Sequence, residues 1–257
     1  MLITLFGFIA GTLIGLTGTG GGVILTPLLL IFTPFPALVV IGTDIVNGAV
    51  TKVLGVIEHR RLGQVHWRLA GFLIAGSAPG TLGGILLVNY LKTHLASNDL
   101  DHILKTILAV TLCGVSLFLP FVRNGYFKLP SGSVEIRTAR EIVRLIAAGA
   151  VVGFLVALTS IGSGSLLMIF LLLLVPLPLG ALVGTDILFG LATMALAGSF
   201  HLWMEHFDSG LFFRLSAGAL PGVVVGSRLT RLIPERYFSW LFSVLYFSLG
   251  ARLLIAG

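Results

Sequence analysis

The chain has 257 residues, 56% of them hydrophobic and 10% charged, with a formal net charge of +6 and a mean hydropathy of +1.08. A soluble domain carries about a quarter charged residues, so this composition excludes a soluble globular fold. It describes one polytopic membrane domain of up to about ten apolar spans of about 20 residues. The basic excess therefore informs topology before partners: nucleic acid is not expected, because Lys and Arg accumulate in the cytoplasmic loops of membrane proteins.

The first apolar segment, Leu2 to Leu16, lacks a basic leading region and runs straight into further apolar sequence, so it reads as a mature segment rather than a secretory signal. Four more follow, Gly20 to Thr33, Ala37 to Ile57, Trp67 to Leu91 and Ile103 to Phe121. The single cysteine, Cys113, lies in the fifth and reads as a buried thiol. Beyond a polar stretch come Glu141 to Leu158, Gly162 to Val175, Leu179 to Trp203, Leu211 to Leu232 and Tyr237 to Ile255. The expected architecture is all-α: repeat 1 over 1–121, a cytoplasmic linker over 122–140, and repeat 2 over 141–257.

A constant offset of 142 residues superposes the two halves. Gly7, Gly11, Thr17, Gly20 and Gly22 fall on Gly149, Gly153, Thr159, Gly162 and Gly164. The run Gly42-Thr43-Asp44-Ile45 falls on Gly184-Thr185-Asp186-Ile187, and Pro34, Pro36, His59 and Pro79 fall on Pro176, Pro178, His201 and Pro221. A shared run containing an aspartate, with prolines pairing around it, marks a duplication.

Loop charge gives the sense of the two copies. Glu58 to Arg68 holds three Arg and one Glu, Arg123 to Arg144 five basic and two acidic residues, and Arg228 to Arg236 three and one. Lys92 to Lys105 is balanced, and Glu205 to Arg214 has one basic and two acidic residues. Placing the basic loops inside puts the Glu58 loop and its repeat counterpart near Glu205 on opposite faces. The copies are then inverted, as five plus five spans or three plus three with two re-entrant hairpins, and both termini lie outside. A parallel arrangement would strand Arg228, Arg231 and Arg236 outside.

The first two segments of each half are expected to be too short to span comfortably. Between them lie Thr17-Gly18-Thr19-Gly20-Gly21-Gly22 and Thr159-Ser160-Ile161-Gly162-Ser163-Gly164-Ser165. Short, glycine-interrupted segments at matching positions of two halves point to a transporter site. Helices starting near Gly20 and Gly162 would offer free N–H groups to an anion, with the Thr and Ser hydroxyls adding donors. The alternative is close helix packing, which is also the reading for the stripes Gly7/Gly11/Gly15, Gly76/Gly80/Gly84 and Gly218/Gly222/Gly226.

Asp44, Lys52 and Asp186 stand well inside apolar runs, where an ionisable group is a functional candidate. The symmetric pair Asp44 and Asp186 suits a proton or a coupling cation, beside Thr43 and Thr185; a helix cap is the alternative. Lys52, whose repeat mate is Met194, can pair with an acid, attract an anion or snorkel. Asn47 is a further candidate. His59 and His201 read as interfacial histidines rather than metal ligands, and no cofactor is expected.

The motifs GLTGTGGG, PLLL from Pro27, GTDIVNGAVTK from Gly42, EHRRLGQVHWRLA from Glu58 and GSAPGTLGG from Gly76, with their second-half counterparts SIGSGS, VGTDIL and LPGVVVGSRL, resemble the sulfite exporter TauE/SafE family, also called the 4-toluene sulfonate uptake permease family. The resemblance covers nearly the whole chain. It implies a permease of the cytoplasmic membrane for sulfur-containing or organic anions such as sulfite, sulfonates or sulfoacetate. The family's glycine-rich motif maps onto Gly18 to Gly22 and Ser160 to Ser165. Many relatives have Ser where this chain has Asp44 and Asp186, which favours a protonatable or cation-binding role here. The expected mechanism is secondary transport, one repeat moving against the other; a passive anion channel is the alternative. The expected partners are a small anion, the bilayer and, where the chain self-associates, a second copy. A membrane-embedded enzyme is disfavoured, because no serine-histidine-acid set, metal cluster or phosphate loop is present.

Overall fold

A computed structural model of the chain describes residues 2–17, 22–123, 138–175, 177–229 and 235–256. Five helices form the first half: α1 Leu2–Thr17, α2 Gly22–Phe32, α3 Ala37–Arg61, α4 Trp67–His94 and α5 Ser97–Arg123. The second half has α6 Ala139–Thr159, α7 Leu166–Leu174, α8 Leu179–Trp203, α9 Ser209–Leu229 and α10 Glu235–Ala256. Among the described residues there is no strand, and α3, α4, α5, α6, α8 and α9 are long and apolar enough to cross a membrane. Their outward faces carry Leu86, Val110, Val143 and Phe213, each more than half exposed, as a surface solvated by lipid requires.

One expectation about segment length needs correction, that for the first segment of the second half. At 1.5 Å per residue the 21 residues of α6 extend about 32 Å, enough to span. The helix begins earlier than its apolar run because Thr138 caps it: its hydroxyl accepts from Glu141 N while Glu141 Oε2 accepts from Thr138 N. The other early elements are short as expected: α1 with 16 residues and about 24 Å, α2 with 11 residues and about 16 Å, and α7 with nine residues and about 14 Å. Two of them start later than expected, α2 at Gly22 and α7 at Leu166.

The main packing partners come from opposite halves: α1 with α9, α4 with α6, α3 with α8 and α5 with α10. The glycine stripes form the seams. A Cβ on Gly7 or Gly11 would strike the backbone of Leu215 or Ala219, and one on Gly149 or Gly153 would strike Leu73 or Ser77. These contacts recur at the 142-residue offset. Residue numbers rise together across both seams, so α1 runs parallel to α9 and α6 to α4.

The repeat mates α3 and α8 behave oppositely. Gly48 meets Met194, Lys52 meets Gly190 and Gly55 meets Ile187, so one helix runs antiparallel to its own copy. The same holds for α5 and α10, where Gly250 packs on Cys113 and Ser243 Oγ donates to Ser116 O at 2.9 Å. Because every large seam joins the two halves, neither half is a separate bundle.

Candidate functional site

The site is built where the two broken elements meet the paired helices α3 and α8. After Thr159, the backbone turns sharply: Ser160 has φ 62°, Gly162 φ 154° and Gly164 φ 98°. Ser160 N still donates to Val156 O at 2.8 Å, and Leu167 N reaches back to Gly162 O at 2.9 Å. At Gly164 the left-handed backbone favours a residue without a Cβ. Gly22, the first residue of α2, packs so closely on Ser160 that a Cβ would strike its carbonyl oxygen. The start of α2 thus abuts the end of α6.

Asp44 lies in the second turn of α3, beyond any capping position, and is 1% exposed. Its Oδ2 accepts from Thr26 Oγ1 of α2 at 2.5 Å and from Ser160 Oγ at 2.8 Å. One carboxylate oxygen therefore clasps both broken elements to α3. Asp186 holds the matching position on α8, also 1% exposed. Its Oδ1 accepts from Gly164 N at 2.9 Å, while its Oδ2 has no hydrogen-bond partner among the described residues. The loop amide expected to face a substrate anion is taken here by the protein's own carboxylate. The capping alternative fails for both aspartates.

Lys52 does not snorkel. It is 8% exposed and points across to α8 at Gly190, where a Cβ would come within 2.8 Å of Lys52 Cε and of Ser163 Cβ. Its charge and that of Asp186, one turn earlier on α8, lie close enough to act on one another. Met194, the repeat mate of Lys52, sits against Gly48 in the corresponding place on the other side. The duplicated scaffold thus yields two matching side-chain clusters with unequal chemistry: Lys52, Gly190 and Asp186 in one, Met194, Gly48 and Asp44 in the other. Around Asp44 no charged partner is present among the described residues.

The other predicted residues divide. Ser160, Ser163, Gly164 and Ser165 gather near the aspartates; Ser163 Oγ lies 4.0 Å from Met194 Sδ, and Ser165 Oγ is buried without a partner among the described residues. Gly162 is placed against Val156 and Val152. Thr43 and Thr185 turn to the helix ends instead, accepting from Asp208 N at 3.0 Å and His66 N at 3.1 Å respectively. Asn47 Oδ1 accepts from Ser216 Oγ of α9 at 2.9 Å. Gly18, Thr19, Gly20, Gly21 and the side chain of Thr17 lie outside the described residues.

Sequence reasoning missed Thr26, whose repeat mate is Met168, so no symmetry marks it. It also missed Gly48 and Gly190, although these match at the same offset four residues after the aspartates. At the end of α8, His201 is fully buried rather than exposed at an interface, with Nε2 3.2 Å from Ala157 O. Beyond that helix, His206 lies 2.9 Å from Lys92 Nζ, and its ring centroid is 5.5 Å from that of His201. Burial, reinforced by Lys92 and His201, pushes the His206 imidazole down to about 3. His59, at the other end, meets Gln64 Oε1 at 2.9 Å.

Comparison with known proteins agrees with this architecture. The family described as Sulfite exporter TauE/SafE matches residues 3–253. The chain is 33% identical over 259 residues to the probable membrane transporter protein YjnA of Bacillus subtilis, covering 98% of each. It is 27% identical to the probable membrane transporter protein YdhB of the same organism, over 91% of this chain and 92% of the relative. A third B. subtilis relative, the probable membrane transporter protein YunE, is 25% identical over 100% of this chain and 98% of its own. No solved structure matches the chain.

Proposed function

The chain belongs to the sulfite exporter TauE/SafE family of membrane transporters, and from that footing we propose a secondary transporter of sulfur-containing or organic anions, coupled to a proton or cation through Asp44 and Asp186. The observation that carries this reading is the pair of buried aspartates on the mutually antiparallel helices α3 and α8, each hydrogen-bonded to a broken element. A carboxylate at membrane depth costs several kcal/mol unless it is paired or hydrated, so its retention at both copies asks for a use.

Protonation supplies one. As an ion, Asp44 Oδ2 accepts two hydroxyl protons and holds α2 and the end of α6 on α3. A proton on that oxygen turns it into a donor and weakens both bonds. Proton binding at Asp44 then loosens the contact between the broken elements, which is a physical route from a proton gradient to opening of the site. Because the large seams join opposite halves, the moving unit is a mixed one, such as the α1–α9 pair with the short α2. The charge of the Glu58 and Arg123 loops supports a placement in the cytoplasmic membrane with basic loops inside and both termini outside.

The test is uptake of sulfite and of sulfonates into proteoliposomes under an imposed pH gradient. Wild type is expected to accumulate substrate above equilibrium, and Asp44→Asn and Asp186→Asn to lose that accumulation. Flux that only equilibrates, with both variants equal to wild type, makes the aspartates structural and the protein a passive anion channel.

A further inference from the structure

The two matching clusters between α3 and α8 differ in charge. Lys52 stands in one and Met194 in the other, each lying over a glycine of the opposite helix. A buried ammonium needs a counter-charge. Among the described residues Lys52 has only Asp186 as a counter-charge, no ion pair closes the two together, and Asp186 Oδ2 is still unsatisfied. Nearby, Ser165 Oγ, 1% exposed, is likewise without a partner among the described residues, and Ser163 Oγ has among them only the Met194 thioether at 4.0 Å.

Taken together these groups are one ammonium, two underused hydroxyls and a loop amide, all but one of them donors lacking a strong acceptor. Among the described residues the only anion near them is a carboxylate that uses one of its two oxygens on Gly164 N. Charged hydrogen bonds form preferentially with oxyanions that can reach several donors at once. A sulfite or sulfonate head presents three oxygens to such a set, whereas Asp186 is tethered to α8 and presents one.

We propose that Lys52 is the cationic anchor for a small sulfur oxyanion and that Asp186 is its resident competitor, so that substrate binds by taking Lys52 from Asp186. This deepens, and rests on, the anion-transporter reading above. The duplicated clusters then divide the work: the one around Lys52 takes the anion, which frees Asp186 to take a proton, and the one around Asp44, with hydroxyls but no cation, takes a proton alone. Gly190 is required because any side chain there would occupy the space of the ammonium.

The experiment is titration of the purified full chain with sulfite and with 4-toluene sulfonate at fixed pH, read by calorimetry. Lys52→Met, which gives α3 the residue its copy carries, is expected to weaken binding about 10- to 100-fold, the range of one lost charged hydrogen bond. Asp186→Asn is expected to bind more tightly than wild type, because the competitor is removed. Should Lys52→Met fail to fold with Asp186 left uncompensated, the double variant Lys52→Met/Asp186→Asn carries no buried charge there and is expected to bind as weakly. A Lys52→Met protein that binds within twofold of wild type, or an Asp186→Asn protein weakened as much as Lys52→Met, overturns the assignment while leaving the transporter reading intact. A wild type that neither binds nor moves any anion overturns that reading, and this inference with it.

Discussion

Alanine at Gly153 tests the seam on which the site is hung. A Cβ there would lie 2.6 Å from Ser77 O, 2.9 Å from its Cα and 3.0 Å from its Cβ. Ordinary contact begins at 3.4 Å, so α6 must retreat from α4 by about 0.8 Å, the difference between 3.4 and 2.6 Å. The obstacle is backbone, which cannot rotate away. Such a retreat also breaks the bond from Thr81 Oγ1 to Gly153 O, already 3.3 Å long. Overpacking of this kind costs about 1–3 kcal/mol, and the lost bond about 1 kcal/mol. Ala regains about 1 kcal/mol of helix propensity over Gly, which leaves a net loss of about 1–3 kcal/mol. The comparison is Gly71→Ala on α4, where nothing lies within 4 Å and the propensity gain stands alone. Thermal unfolding in detergent, followed by loss of monodisperse protein, should place Gly153→Ala below wild type and Gly71→Ala at or above it. A Gly153→Ala protein as stable as Gly71→Ala would refute the packing argument.

Further tests address the site and its topology. Thr26→Val deletes a donor to Asp44 at nearly constant volume; it should cost about 1.5–3 kcal/mol in wild type and no more than about 1 kcal/mol in Asp44→Asn, where the acceptor is neutral. Equal costs in the two backgrounds would show that the hydroxyl does not act through the carboxylate. The buried His206 near Lys92 titrates at about 3, against 6.5 when released, so the released form binds more protons between those values. Its stabilising contribution is complete above pH 6.5 and is lost as pH falls below it. His206→Gln, copying the repeat mate Gln64, should flatten the fall in melting temperature between pH 7.5 and pH 5; an unchanged slope contradicts the assignment. Cysteines at Leu62 and Phe207, in a Cys113→Ala background, should react with impermeant reagent from opposite faces of the membrane. Labelling of both from one side would sink the inverted placement.

Much of this arrangement can be read from the sequence because membrane burial writes simple patterns. The apolar runs, the 142-residue offset and the i+4 glycine stripes correspond to helices, to contacts that recur at that offset and to seams. The partner of each stripe is not legible, since Gly11 carries no mark of Ala219, and so the interlocking of the halves emerges only in three dimensions. Length is misread where a cap outside the apolar run, Thr138 with Glu141, extends α6. Asp44 and Asp186 stand out as charges in apolar surroundings, but their unequal settings do not. Thr26 has no matching residue in the other half, and the roles of Gly48 and Gly190 depend on what crosses above them. Lys52 is visible as a charge, yet its orientation toward Gly190 rather than the interface follows only from the antiparallel register of α3 on α8.

The central claim is that an anion and a proton, or another coupling cation, move in a fixed ratio, and its most direct test runs the coupling in reverse. Proteoliposomes containing a pH-sensitive dye are given a gradient of 4-toluene sulfonate, which does not buffer near neutrality, with no pH gradient imposed and the membrane potential clamped. For a proton-coupled carrier the sulfonate gradient should drive a pH change inside the vesicles, and Asp44→Asn should abolish the pH change. Sulfonate flux in wild type with no pH change, and none under any imposed cation gradient, would contradict the coupled-transporter account.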